Sequence, residues 1–226
     1  MQIDQMLDKQ TIFVIDDDEA VRDSIAALVD IRGLPVETYP SAEDFLAAYS
    51  GVTPGCVVTD LRIEHGMTGI ELQVALRERG CEIPVILISA YADVSNAVQA
   101  MQNGAITLLE KNCSSDALWK AIVEALATDS DRRNQSQRQQ SLLARFQQLK
   151  RDELTVMDRV IDGQLNKVIA KELSISLRTV ETRRHNLLEK VGVSSVPELV
   201  RLYVELEQVL GQPPGRFLAE QADRSQ

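Results

Sequence analysis

The stretch Thr11-Ile-Phe-Val-Ile15, followed at once by Asp16-Asp-Asp-Glu19, decides the fold of the N-terminal half of this 226-residue chain. Apolar and β-branched residues in a short run are typical of a buried strand, and the acidic residues mark its end. Strand-like runs recur at 35–39, 56–59, 85–89 and 106–109, with helical patterns at about 20–31, 41–49, 69–79, 93–103 and 114–127. Five strands alternating with five helices predict a parallel sheet with helices on both faces.

Chemically distinctive residues follow four of these strands, namely Asp16 with Asp17, Asp60, Ser89 and Lys111. In a flavodoxin-like strand order 2-1-3-4-5, strands one and three are neighbours, so the three aspartates are expected in one pocket. A hard divalent cation such as Mg²⁺ relieves the repulsion among three carboxylates. With Ser89 and Lys111 on the far side, the pocket is predicted to hold a transferring phosphoryl group, with one carboxylate as nucleophile.

Residues 11–127 resemble the receiver domain of two-component response regulators. The resemblance rests on Val14-Ile-Asp-Asp-Asp, Val58-Thr-Asp60-Leu-Arg, Ile86-Leu-Ile-Ser89-Ala90 and Glu110-Lys111. It implies that Asp60 accepts a phosphoryl group from a sensor histidine kinase and that Ser89 and Lys111 contact the phosphoryl oxygens. The implied Mg²⁺ ligands are Asp17, Asp60, the Arg62 backbone carbonyl and, through water, Asp16.

Three positions depart from the receiver pattern. Receivers usually follow the lysine with a proline in a cis peptide, but this chain has Asn112. Since a cis bond at another residue costs about 3–4 kcal/mol, the loop is expected to be trans and rebuilt, or strained. Leu108 replaces a common aromatic residue, and the loop after Asp60 is one residue longer before Gly69. These departures leave open a protein-gated DNA-binding regulator that does not respond to phosphorylation.

The formal net charge of −10 is unevenly distributed. Residues 1–128 carry 8 Lys and Arg against 20 Asp and Glu, whereas residues 129–226 carry 16 against 14. Two domains with different partners are therefore predicted. Residues 129–140 contain no apolar side chain, so a helical or flexible linker is expected over 129–148.

The remaining composition favours a cytoplasmic protein without a membrane partner. No apolar run is long enough to span a bilayer, and the N-terminus has no apolar signal segment. The three cysteines are odd in number and do not suggest a disulfide framework.

Apolar periodicity in the second half predicts a helix that Gly163 ends, a short helix at 166–173 and a longer helix at 177–191. The last two, joined by a three-residue turn, match the helix-turn-helix geometry. The longer helix opposes an apolar face with a polar and basic one, which suits the major groove of DNA. The candidate DNA contacts are Lys167, Arg178, Thr179, Glu181, Thr182, Arg183, His185, Asn186 and Lys190.

These candidates divide into two groups by chemistry. Thr182 and His185 are the first choices for base edges, with Glu181 a candidate for cytosine. The predicted phosphate contacts are Lys167, Arg178, Arg183 and Lys190. Arg184 falls on the inner side of the helix and is interpreted as structural, paired with Glu153. On charge alone, the whole stretch would be interpreted as the solvated face of a small helical bundle.

The motif running from Asn166 to His185, continued by Asn186 and Lys190-Val-Gly-Val, is similar to the LuxR-type helix-turn-helix and extends the resemblance over 149–205. A receiver joined to this module resembles the FixJ/NarL-like class of response regulators. That resemblance implies that phosphorylation modulates dimerisation and sequence-specific binding to double-stranded DNA. Where the family often begins with Leu-Thr-Pro-Arg-Glu, this chain has Leu149-Lys-Arg-Asp-Glu153.

The expected organisation is a receiver at 10–128, a linker at 129–148, a helix-turn-helix domain at 149–210 and a mobile tail at 211–226. The apolar stripe from Leu199 to Leu210 either completes the core or pairs two copies, and the resemblance favours a homodimer. An Asp-x-Asp-x-Thr phosphatase pattern is absent from the first strand. No enzyme activity is expected beyond phosphoryl transfer to the receiver and slow loss of that group.

Overall fold

The computed structural model describes residues 10–64, 66–90 and 94–224, and the side chains of all of these except 94–96 and 220–224. The chain divides into two compact units, residues 1–133 (unit 1) and 134–226 (unit 2). The elements that begin in unit 1 are β1 (Thr11–Ile15), α1 (Glu19–Asp30), β2 (Val36–Tyr39), α2 (Ala42–Ala48), β3 (Gly55–Asp60), α3 (Gly69–Glu78), β4 (Val85–Ser89), α4 (Val94–Gln102), β5 (Thr107–Glu110) and α5 (Ser115–Gln147).

The five strands form one parallel sheet in the order β2-β1-β3-β4-β5, which confirms the predicted flavodoxin-like receiver architecture. Side chains alternate between the two faces, as the pleat requires. Phe13 and Ile15 pack with α2 and α3 on one face, whereas Ile12 and Val14 pack with α1 and α5 on the other. The sheet is therefore buried on both sides, as predicted for parallel strands.

The strand register aligns the polar residues at one edge of the sheet. Ile15 of β1 lies opposite Thr59 of β3, so the next residues, Asp16 and Asp60, are neighbours. On the other side of β3, Ser89 of β4 lies opposite Glu110 of β5, and Lys111 follows directly. The predicted pocket thus follows from strand order and register alone.

The first turns of the predicted linker belong to unit 1. Asp129, only 3% exposed, accepts hydrogen bonds from the Gly55 backbone N–H at 3.0 Å and from Arg133 Nε at 2.9 Å. Gln10 Nε2 donates to the Leu126 carbonyl at 2.9 Å and to Asp129 at 3.3 Å. Arg133 also donates to two carbonyl oxygens of the segment before β3. The all-polar composition predicted a helical or flexible linker here; the segment is helical, but side chains of this part of α5 also form a polar network around buried Asp129.

Unit 2 contains the end of α5 and the helices α6 (Arg151–Ile161), α7 (Asn166–Glu172), α8 (Leu177–Val191), α9 (Val196–Leu210) and α10 (Pro214–Arg224). Leu142 and Phe146 of α5 are buried in its core together with Met157, Val180 and Leu187. Arg145 donates to the carbonyl of Val191 at 2.5 Å and to that of Gly192 at 3.0 Å, where α8 ends. The end of α5 is therefore an integral part of the helical unit.

The C-terminus differs from the prediction of a mobile tail. Residues 214–224 form a helix, and Leu218 is buried in the core of unit 2. Sequence periodicity missed it because the two prolines and the glycine at 213–215 suggested a chain end, although proline is favoured in the first turn of a helix. On α9, Leu199, Leu202, Tyr203 and Leu206 are buried in the same core, so that part of the predicted stripe completes the fold.

No helix among the described residues has the length and apolarity that crossing a membrane requires.

Candidate functional site

A lysine joins two buried carboxylates at the carboxyl edge of the sheet. Lys111 Nζ lies 2.5 Å from Asp60 Oδ2 and 2.8 Å from Asp16 Oδ2. Both aspartates are buried, and they come from the ends of β3 and β1. Three groups that are far apart in sequence therefore form one charged cluster, as the strand order predicted.

Backbone donors orient the two carboxylates. The Arg62 N–H donates to Asp60 Oδ1 at 3.0 Å, and the Asp18 N–H donates to Asp16 Oδ1 at 2.9 Å. Each carboxylate thus has one oxygen on a backbone amide and the other on Lys111. This arrangement fixes the direction in which each carboxylate faces.

Arg22 is a positioning residue that the sequence analysis missed. Its guanidinium donates to the backbone carbonyls of Asp16 at 2.7 Å and of Asp17 at 3.0 Å, which holds the acidic loop after β1. The only sequence signal was a cation one turn into α1, three residues after the last of four consecutive acidic residues.

Burial and charge act in opposite directions in this cluster. Burial raises the pKa of Asp16 above its usual value, although Lys111 and the Asp18 amide work against the shift. Burial alone would lower the pKa of Lys111, but its hydrogen bonds and charge interactions with Asp16 and Asp60 outweigh this effect, so the pKa is raised. Lys111 is therefore a stable cation at neutral pH.

The three aspartates also form a candidate cation site. One carboxylate oxygen from each of Asp16, Asp17 and Asp60 lies within 4.8 Å of the others. An all-oxygen donor set with an exposed member, Asp17, is typical of a Mg²⁺ site that retains several waters. The donor chemistry therefore fits this ion.

Ser89 and Gly69 lie at the same edge of the sheet as the acidic cluster. Ser89 is buried at the end of β4, and its carbonyl accepts the Lys111 backbone N–H at 2.8 Å, which ties the two predicted phosphoryl contacts together. At Gly69, a Cβ atom would lie 2.4 Å from the Asp60 carbonyl oxygen and 2.6 Å from Leu87 Cδ2. Glycine is thus required for α3 to begin directly against the end of β3.

The loops that depart from the receiver pattern adopt defined conformations. Every peptide bond within the described ranges is trans, including the one before Asn112, and the Cys113 N–H donates to the Glu110 carbonyl at 2.9 Å. In the longer loop after β3, the Glu64 N–H donates to Asp17 at 3.4 Å. His65 of that loop lies outside the described residues.

The predicted helix-turn-helix is formed by α7 and α8. The turn passes through Ser174, whose φ of 54° lies in the left-handed region. Ser176 caps α8, because its Oγ accepts the Thr179 N–H at 3.0 Å. Lys167, Arg178, Glu181, Thr182 and His185 are all exposed, and the Thr182 hydroxyl donates to the Arg178 carbonyl at 2.9 Å.

The partners of two cations on α8 correct the sequence analysis. Lys190, predicted to contact phosphate, instead donates to both oxygens of buried Glu153 at 2.7 and 2.9 Å. Arg184 was predicted to pair with Glu153, but it donates to Asn166 Oδ1 at 2.8 Å. Arg184 is therefore still interpreted as structural, but with a different partner. Glu153 is not available to it, because Glu153 faces the flank of α8 that carries Lys190.

Arg183 lies on the same flank of α8 and pairs with Asp152 Oδ2 at 2.8 Å. No hydrogen-bonding or ion-pair partner for the side chains of Lys167 and Arg178 is found within the described part of the chain. These two cations are therefore available for a ligand without breaking an internal contact.

Comparisons with known proteins match both units. Residues 12–123 match the response regulator receiver domain, and residues 147–203 match the bacterial regulatory proteins of the luxR family. Transcriptional regulatory protein TdiR of Thauera aromatica is 39% identical over 88% of this chain and 88% of its own length. Transcriptional regulatory protein FixJ of Bradyrhizobium diazoefficiens is 39% identical over 87% of this chain and 96% of its own.

A solved structure, that of response regulator StyR, covers 87% of this chain and 99% of its own at 38% identity, with a TM-score of 0.83. The similarity spans both units and includes the acidic pocket and the helix-turn-helix described above. The chain therefore belongs to the two-component response regulators that join a receiver domain to a LuxR-type DNA-binding domain and regulate transcription.

Proposed function

We propose that this regulator is switched by phosphorylation of Asp60, with the phosphohistidine of a sensor histidine kinase as donor. The observation that carries the proposal is the contact of Lys111 Nζ with Asp60 at 2.5 Å and with Asp16 at 2.8 Å. A fixed cation at this position offsets the negative charge that would otherwise repel an incoming phosphoryl group.

In the proposed reaction, a carboxylate oxygen of Asp60 attacks phosphorus and the phosphorus–nitrogen bond of the donor breaks. The leaving imidazole keeps the electron pair and takes up a proton. The Arg62 N–H, which binds Asp60 Oδ1 at 3.0 Å, holds the nucleophile in a single orientation. Lys111 and Ser89 are assigned to the phosphoryl oxygens.

The pocket is proposed to bind Mg²⁺ through Asp17, Asp60 and the Arg62 carbonyl, with Asp16 acting through water. When bound, the ion supplies positive charge that stabilises the transferring phosphoryl group. Because Mg²⁺ binds the folded state, it should raise the melting temperature of unit 1, and Asp17→Asn should reduce that shift. If Mg²⁺ does not change the melting temperature of the wild-type protein, the assigned metal site is excluded.

On the DNA side, α8 is proposed to enter the major groove. Thr182 and His185 are assigned to base edges, with Asn186 beside them and Glu181 facing a cytosine. Since the Thr182 hydroxyl proton is used on the Arg178 carbonyl, this side chain offers its methyl group and an acceptor to a base. The proposed phosphate contacts are Lys167, Arg178 and Arg183, with Thr179 adjoining them at the start of the helix. Lys190 is withdrawn from this set because Glu153 holds it.

Phosphorylation is proposed to modulate dimerisation and thereby DNA binding. Val204 and Val209 of α9 are exposed, and they give this helix an apolar surface for a second copy of the chain. Both proposed partners, a kinase domain and DNA, act in the cytoplasm, and we propose that location for the protein.

The deciding experiment is intact mass after incubation with Mg²⁺ and a small-molecule phosphodonor, with Asp60→Asn as the control. The same samples are then titrated against duplex DNA selected from a random-sequence pool. One phosphoryl group that is absent from the control, together with tighter DNA binding, is the expected result. DNA affinity that does not change on phosphorylation would favour the alternative, a protein-gated regulator, for which Asn112 and Leu108 are the motivating residues.

A further inference from the structure

Two consecutive acids in the first turn of α6 hold two cations of the recognition helix α8. Glu153 binds Lys190 at 2.7 Å, and Asp152 binds Arg183 at 2.8 Å. The two cations are similarly exposed, at 27% for Arg183 and 28% for Lys190, but the two carboxylates differ in their access to water.

The inner pair is fixed by burial. Glu153 is 4% exposed and also accepts the Lys150 backbone N–H at 2.8 Å, so its carboxylate cannot move without losing several contacts. Removing one partner of such a pair leaves a buried charge without compensation. Lys190 is therefore committed to the fold.

The outer pair can exchange partners. The Asp152 side chain is 47% exposed and that of Arg183 is 27% exposed, so both groups are partly hydrated. An ion pair at this degree of exposure contributes little stability, because water competes for both charges. A guanidinium forms similar charge-assisted hydrogen bonds with a phosphate and with a carboxylate. A DNA phosphate can thus replace Asp152 as the partner of Arg183.

We propose that Asp152 competes with the DNA backbone for Arg183 and thereby limits the affinity of the helix-turn-helix for DNA. The inference rests on the proposed DNA-binding role of α8 and goes beyond it, because it assigns an affinity-lowering function to a residue of α6. When Arg183 transfers to a phosphate, the Asp152 carboxylate is left without its cation beside a polyanion. It then takes up a cation from solution, which reduces the net release of counterions on binding.

Asp152→Asn tests this directly, because it removes the charge and keeps the shape. At low ionic strength, the variant should bind selected duplex DNA about threefold to fivefold more tightly than the wild type. Between about 50 and 200 mM salt, the slope of log K against log salt should become steeper by up to about 0.9. A carboxylate that merely buttressed Arg183 would give the opposite sign, namely weaker binding in Asp152→Asn.

The matched control is Asp162→Asn, which removes one exposed negative charge from the other end of α6. If Asp162→Asn tightens binding as much as Asp152→Asn does, the effect is a general one of net charge and the proposal fails. Thermal melting of each full-length variant accompanies the titrations, so that a change in folded fraction is not counted as affinity.

Arg183→Gln separates failure of this inference from failure of the proposed function. We expect it to weaken binding to selected and random-sequence duplexes alike, and to abolish the effect of Asp152→Asn in the double variant. If Arg183→Gln weakens binding but Asp152→Asn does not tighten it, competition is excluded and the DNA-binding role stands. If Arg183→Gln leaves both affinity and salt slope unchanged, Arg183 is not a phosphate contact and both assignments fall.

Discussion

Unit 1 and unit 2 each bring acidic and basic side chains together, but different elements fix the two arrangements. In unit 1, Asp16, Asp60 and Lys111 follow three different strands and meet at one edge of the sheet. In unit 2, two neighbouring acids of α6 meet two cations of α8. Strand order determines the first cluster, whereas the packing of one helix on another determines the second.

The comparison separates two roles of charged side chains: those of the unit 1 cluster are suited to chemistry, and those of the unit 2 pairs to stability. The cluster in unit 1 has two carboxylates for one lysine, so negative charge remains for a cation and a nucleophile to use. Each ion pair in unit 2 balances one charge with one, and burial decides whether the pair is permanent. Substitutions at these pairs should therefore give effects of different kinds.

Lys111→Met should produce the largest effect, on the rate of phosphorylation. Removing a fixed charge that stabilises a transition state typically slows reaction by about 10²–10³-fold, and we expect a loss in that range. Intact mass against time, with Mg²⁺ and a small-molecule phosphodonor, measures the rate. Lys120→Met is the matched control, since Lys120 is an exposed lysine of α5 in the same unit. Wild-type phosphorylation in Lys111→Met would remove this cation from the mechanism.

Glu153→Gln should destabilise unit 2 by about 2 kcal/mol, because it removes a buried carboxylate that accepts two charge-assisted hydrogen bonds from the partly exposed Lys190. Asp152→Asn, at the exposed pair beside it, should cost less than about 1 kcal/mol. Urea unfolding of the full chain followed by circular dichroism reports the loss of the helices. Equal losses at the two positions would mean that burial does not distinguish the inner pair from the outer one.

The comparison also shows how much the sequence can predict. Asp16, Asp60 and Lys111 were predictable because strand alternation and the 2-1-3-4-5 order leave few positions for a residue that directly follows a strand. The partner of Lys190 was not predictable, because helical periodicity gives the direction of a side chain but does not identify the helix that it faces. A long cation on the flank of α8 reaches several acids, and only packing selects Glu153.

Asp129 shows a second limit, that of composition. Twelve residues without an apolar side chain predicted a helical or flexible linker, yet Asp129 is buried among the Gly55 amide, Gln10 and Arg133. A network that satisfies its own hydrogen bonds has no hydrophobic signature, so periodicity cannot detect it. The first turns of α5 beyond residue 128 therefore belong to the receiver fold, although sequence analysis assigned them to the linker.

Asp129→Ala should accordingly destabilise unit 1 by about 2 kcal/mol, because it leaves the buried Gly55 N–H without its acceptor and breaks a charge-assisted pair. Asp131→Ala removes a neighbouring, exposed carboxylate of the same helix and should have little effect. The fluorescence of Trp119, the only tryptophan of the chain, follows the unfolding of unit 1. Similar stability of the two variants would mean that this segment acts as a linker and contributes nothing to the stability of unit 1.

Arg184→Gln should have a small effect, a loss of about 1 kcal/mol from unit 2, because one partly buried hydrogen bond to Asn166 disappears. That bond links the first residue of α7 to the middle of α8, so it helps to set the angle between the two helices of the DNA-binding motif. Urea unfolding measures the loss, and titration with selected and single-base-substituted duplexes measures specificity. If Arg184 acts only through its bond to Asn166, affinity should fall by a similar factor for every duplex. A change in base preference would instead place Arg184 on the reading face, where Thr182 and His185 are assigned.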